Sequence, residues 1–260
     1  MDLKLKGKRA LVCGSSKGIG RACAEELARL GCRVTLLARN EQLLAEASTS
    51  FPEGALGGVI AVDVNDKEAL GRAIESDLKE HGAFHILVNN SGGPPGGLIR
   101  HAKAQEFQNA MDTHLFTNVL LSQLIIPGMV DEGFGRIINI ISTSVKMPIP
   151  GLGVSNTTRG AVASWAKTLA GEVAASGITV NNVLPGATET ERLHEVIVNK
   201  AGTAGVSPEI MQQQLTDEIP AGRFGRVEEI AAVVAFLASE AASYVNGVSI
   251  PVDGGRTGCI

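Results

Sequence analysis

The sequence is poor in aromatic residues. Phenylalanine, tryptophan and tyrosine together make up 3% of its 260 residues, and the single tyrosine is Tyr244. A core with so few rings must be aliphatic. The 31 glycines permit many close backbone approaches, a composition that suits parallel strands covered by helices. No block of basic residues is present and the formal net charge is -4. This argues against nucleic acid as a partner, because phosphate backbones bind clustered positive charge. The four cysteines, Cys13, Cys23, Cys32 and Cys259, show no C-x-x-C spacing, so they read as buried or incidental thiols in a reducing compartment. No metal site is read from the sequence. Residues 1–6 lack the apolar stretch of a secretory signal, and no uninterrupted apolar run reaches the roughly 18 residues of a membrane span. The expectation is a cytoplasmic enzyme or binding protein.

What is present is regular. Hydrophobic residues supply 44% of the chain, enough for a large core, and this length fits one α/β domain, residues 1–260, around one sheet. Short runs rich in Val, Ile and Leu alternate with helical patterns. Strands are expected at 9–13, 33–38, 59–63, 86–89, 136–141, 179–184 and 248–252. Helices are expected at 18–30, 41–50, 67–80, much of 105–131, 155–175 and 227–237. Such alternation predicts a doubly wound parallel sheet, a Rossmann-type fold, with right-handed crossovers placing helices on both faces. Residues 189–217 depart from the pattern. They are polar, carry Gly202, Gly205 and Pro208, and are expected to form a long loop acting as a substrate lid.

The first strand runs into Cys13-Gly14-Ser15-Ser16-Lys17-Gly18-Ile19-Gly20 and then a helix. Gly14, Gly18 and Gly20 permit a tight turn and let backbone approach a pyrophosphate, at which the helix aims its free N–H groups and positive dipole end. An ordinary tight turn would carry the same glycines, but the strand before and helix after favour the phosphate reading. The second strand ends Leu37-Ala38-Arg39-Asn40, without the acidic residue that accepts a bond from an NAD ribose. Arg39 and Lys17 could flank a 2′-phosphate, with Arg39 binding it as a fork, or they could be two solvated cations. NADP is expected over NAD.

With these residues in view, the chain resembles the short-chain dehydrogenase/reductase family, and within it the 3-oxoacyl-carrier-protein reductase-like members, over nearly its whole length. The marks are the glycine turn, Asp63-Val64, Asn89-Asn90-Ser91-Gly92, Asn139-Ile140-Ile141-Ser142, Pro185-Gly186, residues 219–225 and Asp253-Gly254-Gly255. The resemblance implies a seven-stranded sheet, a homotetramer, and a cofactor site. In that site Ser16 and Ile19 belong to the turn. Asp63 and Val64 lie against the adenine, and Asn90, Ser91 and Gly92 line the ribose side. Pro185, Gly186 and Thr188 approach the nicotinamide carboxamide, with Thr190 near the phosphates.

The family's chemistry uses a serine, a tyrosine four residues before a lysine, and usually an asparagine. Ser142 matches the serine, whose hydroxyl donates to the substrate oxygen. In the same register Ser155 stands in the tyrosine position, Arg159 in the lysine position and His114 in the asparagine position. Tyr244 lies near the C-terminus at a structural position. Ser155 is shorter and a far weaker acid than tyrosine. Arg159 keeps the charge and can hold a ribose, but gives up no proton. His114 has an ordinary pKa near neutrality; it is either a relay group or a helix histidine bonded to backbone or water. Lys146, close to Ser142, either approaches the site or is solvated.

Three functions follow from these residues. The first is an NADP-dependent oxidoreductase with altered acid–base groups, acting on a small carbonyl or alcohol compound, of which a 3-oxoacyl thioester is one option. The second is a non-catalytic NADP-binding protein, a sensor or structural partner. The third is a different reaction, such as an isomerase or dehydratase step, at the same site.

Overall fold

The computed structural model describes residues 3–259. Seven strands, β1 (Arg9–Cys13), β2 (Arg33–Ala38), β3 (Leu56–Ala61), β4 (Ile86–Asn89), β5 (Gly135–Ile140), β6 (Ile178–Pro185) and β7 (Ser249–Val252), form one wholly parallel sheet. Its order is β3-β2-β1-β4-β5-β6-β7. This is the expected doubly wound Rossmann arrangement. The strands fall within a few residues of their predicted places. The third starts and ends earlier, because Asp63 folds into a turn where Asn65 N–H donates to its Oδ1 at 2.9 Å.

Two apolar layers sandwich the sheet. On one face α1 (Gly18–Arg29), α2 (Glu41–Ser48) and α9 (Val227–Ala238) pack Cys23, Leu27, Leu44 and Val234 against Val12, Leu36 and Val88. On the other, α3 (Lys67–His81), α5 (Thr117–Asp131) and α6 (Gly153–Val173) pack Ile74, Leu121, Ile125 and Ala166 against Leu11, Leu87 and Ile137. The small residues Ala22, Cys23 and Ala24 of α1 are buried and let α9 pack closely against that helix.

The long helix expected over much of 105–131 is continuous but not uniform. α4 (Ala104–Met111) passes into a π-helical turn, Asp112–Phe116, before α5. A π turn leaves carbonyls out of the regular ladder. Here Lys67 Nζ takes up Asp112 O at 2.6 Å and Val64 O at 2.7 Å, and also bonds the Thr117 hydroxyl. The run Ala104–Asp131 is long and apolar enough to cross a membrane by length and composition. Leu121, Ile125 and Met129, however, are fully buried against the sheet layer, which is the position of a core helix.

Residues 189–217 do not form the expected loop. They fold as α7 (Glu191–Ala204) and α8 (Pro208–Asp217). The apparent breakers are boundary residues: Gly205 ends α7 at φ 68°, Ser207 caps α8, and Pro208 opens it. Those are the positions where glycine and proline favour helix ends rather than disrupt helices.

Asparagines cross the sheet at one level. Asn89, Asn139, Asn182 and Ser249 stand in register on four neighbouring strands. Asn89 Nδ2 donates to Asn139 Oδ1 at 2.9 Å, Asn139 Nδ2 to Asn182 Oδ1 at 2.9 Å, and Asn182 Nδ2 to Ser249 Oγ at 3.1 Å. All three asparagines are buried. Asn139→Leu strands a donor on Asn89 and an acceptor on Asn182. The expected cost is about 2–4 kcal/mol for these two buried groups left unpaired, and urea unfolding measures it.

Candidate functional site

In a doubly wound sheet, ligands bind beyond the carboxyl ends of the strands where the strand order reverses. Here that point lies between β1 and β4, and the turn after β1 meets the loop after β4. Gly14 (φ 59°) and Gly18 (φ 57°) take a conformation L side chains rarely adopt. A Cβ on Gly20 would lie 2.2 Å from Gly14 O, and one on Gly14 would lie 2.7 Å from Asn90 Nδ2. Asn90 amide donates to Cys13 O and Gly14 O, each at 3.4 Å, so its side chain braces the turn. Ser15 anchors the other side: Leu37 N–H donates to its hydroxyl at 2.9 Å. The N-cap residue of α1, Lys17, makes no side-chain cap, and the first turn of α1 carries no acidic residue. Its leading N–H groups thus remain for an anion. The turn is a cradle closed by glycines over a helix N-terminus, and a pyrophosphate fits it. Ser16 and Ile19 are half-buried within it.

Both expected phosphate cations are engaged. Lys17 Nζ lies 2.5 Å from Glu191 Oε2 in the first turn of α7, and this contact raises the lysine pKa. Arg39 Nη1 lies 3.9 Å from Asp63 Oδ2. Both pairs are largely exposed, and exposed pairs are worth at most about 1 kcal/mol. A phosphate of higher charge density can take either cation. Val64 is half-buried, and its carbonyl is occupied by Lys67.

At the other end of the cleft, Pro185 and Gly186 leave β6, and Gly186 N–H bonds Val252 O at 3.0 Å. A Cβ on Gly186 would lie 2.7 Å from Asp253 Cβ, so the bare backbone lets the two loops touch. Thr188 is buried with its hydroxyl donating to Gly186 O at 3.1 Å. Thr190 caps α7, accepting from Leu193 N–H at 3.2 Å. It also borders the turn, since a Cβ on Gly18 would meet its methyl at 3.5 Å.

Of the residues in the catalytic register, Arg159 and His114 both bond Ser91, just after β4, and Ser142 follows the end of β5. Ser142 Oγ accepts from Ser144 N–H at 3.1 Å, which leaves its proton free to donate. Ser155 is half-buried in the first turn of α6. Arg159 is buried one turn further on, its Nη1 donating to Ile140 O at 3.1 Å and its Nη2 to Ser91 O at 3.4 Å. Burial lowers its pKa to about 10. His114 sits in the π turn, 2% exposed, with its Nδ1 2.6 Å from Ser91 Oγ. Burial, then the charges of Arg159 and Lys67, lower its pKa to about 2, well below the neutral range expected of it, which favours the uncharged ring. Lys146 is exposed. Tyr244 is fully exposed near the C-terminus.

Sequence reasoning missed two members of this site, Glu191 and Lys67, and one contact of a third, Ser91. Glu191 was hidden in the segment read as a loop. Lys67 carries no motif of its own. Ser91 had been placed on the ribose side with no hint that it faces His114, 23 positions away.

Residues 14–257 match the family model described as enoyl-(acyl carrier protein) reductase. The 3-oxoacyl-[acyl-carrier-protein] reductase of Haemophilus influenzae is 38% identical over 253 residues, spanning 96% of this chain and 98% of that protein. The gluconate 5-dehydrogenase of Gluconobacter oxydans is 32% identical over 254 residues, 97% of this chain and 96% of that one. Among solved structures, the L-sorbose reductase of Gluconobacter frateurii, complexed with NADPH and L-sorbose, superimposes over the full length of both chains with a TM-score of 0.93 and 34% identity.

Proposed function

The chain belongs to the short-chain dehydrogenase/reductase family of oxidoreductases, and from that premise we propose that it transfers hydride between NADP and a small carbonyl or alcohol substrate, using acid–base groups other than the tyrosine–lysine pair. The observation that carries the reading is the closed glycine turn at the strand-order reversal, held by Asn90 over the uncapped start of α1. Gly14, Ser16, Lys17, Gly18, Ile19 and Gly20 would hold the pyrophosphate end, Arg39 and Lys17 the additional phosphate, and Asp63 and Val64 the adenine. Asn90, Ser91, Gly92, Arg159, Pro185, Gly186, Thr188 and Thr190 would hold the rest. The crystalline likeness of an NADPH-bound reductase supports the same cofactor. When bound, that cofactor supplies the hydride.

The chain's own residues do the remaining work. Ser142 donates a hydrogen bond to the substrate oxygen, and the proton that the product alcohol needs would come through Ser155 or water. Arg159 fixes a positive charge beside it without ever releasing a proton. Ser155 and water stand where a phenol would be. His114, hydrogen-bonded through Nδ1 to the Ser91 hydroxyl, holds that loop. We take α7 and α8 as the substrate-covering element, latched to the turn through Glu191 and Lys17.

The test is a fluorescence titration with NADPH and NADH, followed by turnover over ketones, aldehydes, quinones and 3-oxoacyl thioesters. Binding of NADPH with turnover is expected, and Ser142→Ala is expected to lose about 10²-fold in kcat, as for removal of one oxyanion donor. Folded protein that ignores both nucleotides at millimolar concentration defeats the reading. NADPH binding without turnover on any substrate leaves the sensor or structural role.

His114 gives a prediction of its own. Its folded pKa, about 2, lies far below the ordinary 6.5. Below pH 6.5 the unfolded chain takes up a proton that the folded chain refuses. Its contribution is therefore intact above pH 6.5 and is lost as pH falls, by about 1.4 kcal/mol per unit. Urea melts at pH 7 and pH 5 should show a smaller acid loss in His114→Gln than in the parent, by about 2 kcal/mol.

A further inference from the structure

The side chains in the catalytic register can all donate hydrogen bonds, and none is negative. Arg159 is 7% exposed. Among the described residues no carboxylate lies within ion-pair distance of it, although every other buried arginine finds relief. Arg9 pairs with Asp77 at 2.6 Å, and Arg136 donates to Ser239 O, Gly135 O and Gly177 O. Arg159 makes two bonds, both to backbone carbonyls, the one to Ser91 O long at 3.4 Å. A guanidinium carries five N–H donors. Its Nε has no hydrogen-bond partner among the described residues and, unlike Arg9 Nε, is not sealed from solvent, so this donor opens onto accessible space. The backbone in front is bare: a Cβ on Gly93 would sit 3.9 Å from Arg159 Nη2.

The neighbours extend the pattern. Ser155 stands four residues earlier on α6, hence on the same face, half-buried and with no hydrogen-bond partner among the described residues. Ser142 Oγ accepts from Ser144 N–H, and its proton stays available for the substrate's carbonyl oxygen. His114 adds no negative charge. A buried cation without a counter-ion costs several kcal/mol, and neutral ribose hydroxyls do not balance it.

We propose that Arg159, with Ser155 beside it on α6, forms a receptor for a carboxylate, so that the substrate of the oxidoreductase reading above, on which this rests, is an oxo acid or hydroxy acid rather than a simple ketone or alcohol, with Ser142 kept for its carbonyl oxygen. One guanidinium and the Ser155 hydroxyl match a single planar negative charge with two oxygens. A phosphate dianion would ask for a second cation, and the site offers none: Lys67 is committed to Val64, Asp112 and Thr117.

The experiment is calorimetric titration of NADP-loaded protein with pyruvate, acetoacetate and levulinate and with the methyl ester of each. At least one acid is expected to bind about tenfold or more tightly than its ester, the increment of a charge-assisted bond. Arg159→Gln is expected to abolish that preference and Arg159→Lys to keep part of it. Ser155→Tyr, which fills the space in front of the charge, is expected to reduce it. Equal binding of every acid and its ester by the wild-type protein, or a preference that survives in Arg159→Gln, overturns the proposal. NADPH binding is measured first and separately. NADPH binding with no acid preference overturns the carboxylate receptor alone. Failure to bind NADPH overturns the oxidoreductase reading, and titration of the cofactor-free protein with the same acids and esters then decides the receptor by the same criterion.

Discussion

Gly20→Ala is expected to weaken NADPH binding by about 100-fold or more, on the order of 3 kcal/mol. The added methyl would lie 2.2 Å from Gly14 O, 2.7 Å from Gly14 C and 2.7 Å from Asn90 Nδ2. Two of these are backbone atoms of the turn itself, and neither can rotate aside as a side chain does. Either α1 withdraws from the turn, breaking the burial of Cys23 and Leu27 against the sheet, or the Gly14 peptide turns and reshapes the cradle. In both cases the N–H groups no longer point where an anion sits. Fluorescence titration reads the affinity and a thermal melt reads the accompanying loss of stability. Asn90→Ala is the gentler comparison. It removes two long hydrogen bonds of 3.4 Å and should cost about 1 kcal/mol or less. If Gly20→Ala binds NADPH as the parent does, the turn is not the seat of the cofactor.

The second large effect lies far from the cleft. Arg9 and Asp77 form a buried ion pair at 2.6 Å. The guanidinium also bonds Gly82 O and stacks 4.2 Å from the centre of the Phe84 ring. Asp77→Leu leaves Arg9 charged and without its counter-ion in the interior, and the expected loss is about 3–5 kcal/mol. For a domain of this size that is a fall in Tm of about 10 °C. NADPH affinity should not change, since neither residue borders the turn. The double variant Arg9→Met with Asp77→Leu should recover much of the loss, because it removes both charges together. A single variant as stable as the parent would show that the pair is solvated in solution.

The frame was legible because parallel strands buried on both faces read as continuous Val, Ile and Leu runs, and β1, β2 and β4 match their expected spans residue for residue. The glycine turn was legible because its constraint is steric and local. What escaped was set by contacts between distant residues. Gly205 and Pro208 looked like loop formers until their places at the end of α7 and the start of α8 were known. His114 looked like a titrating group because sequence gives a residue its ordinary pKa. Its value in the protein depends on burial and on Arg159, 45 positions away. The π turn around it left no periodic trace, because its extra residue is absorbed by Lys67 from another helix. The pairing of Lys17 with Glu191 spans 174 positions and joins two segments that no motif connects.

The row of asparagines bears on how the protein assembles. Its members are separated by 50, 43 and 67 positions, so no short stretch of chain can complete it. Until β4, β5, β6 and β7 are all aligned, at least one amide lacks its neighbour in a setting without water. Partly docked intermediates of this half of the sheet are thereby penalised, and a strand slipped by one position gains nothing, since its amide would turn to the opposite face. Native-state hydrogen exchange should accordingly find β4, β5 and β6 opening as one unit, with a common opening free energy, rather than peeling from the β7 edge.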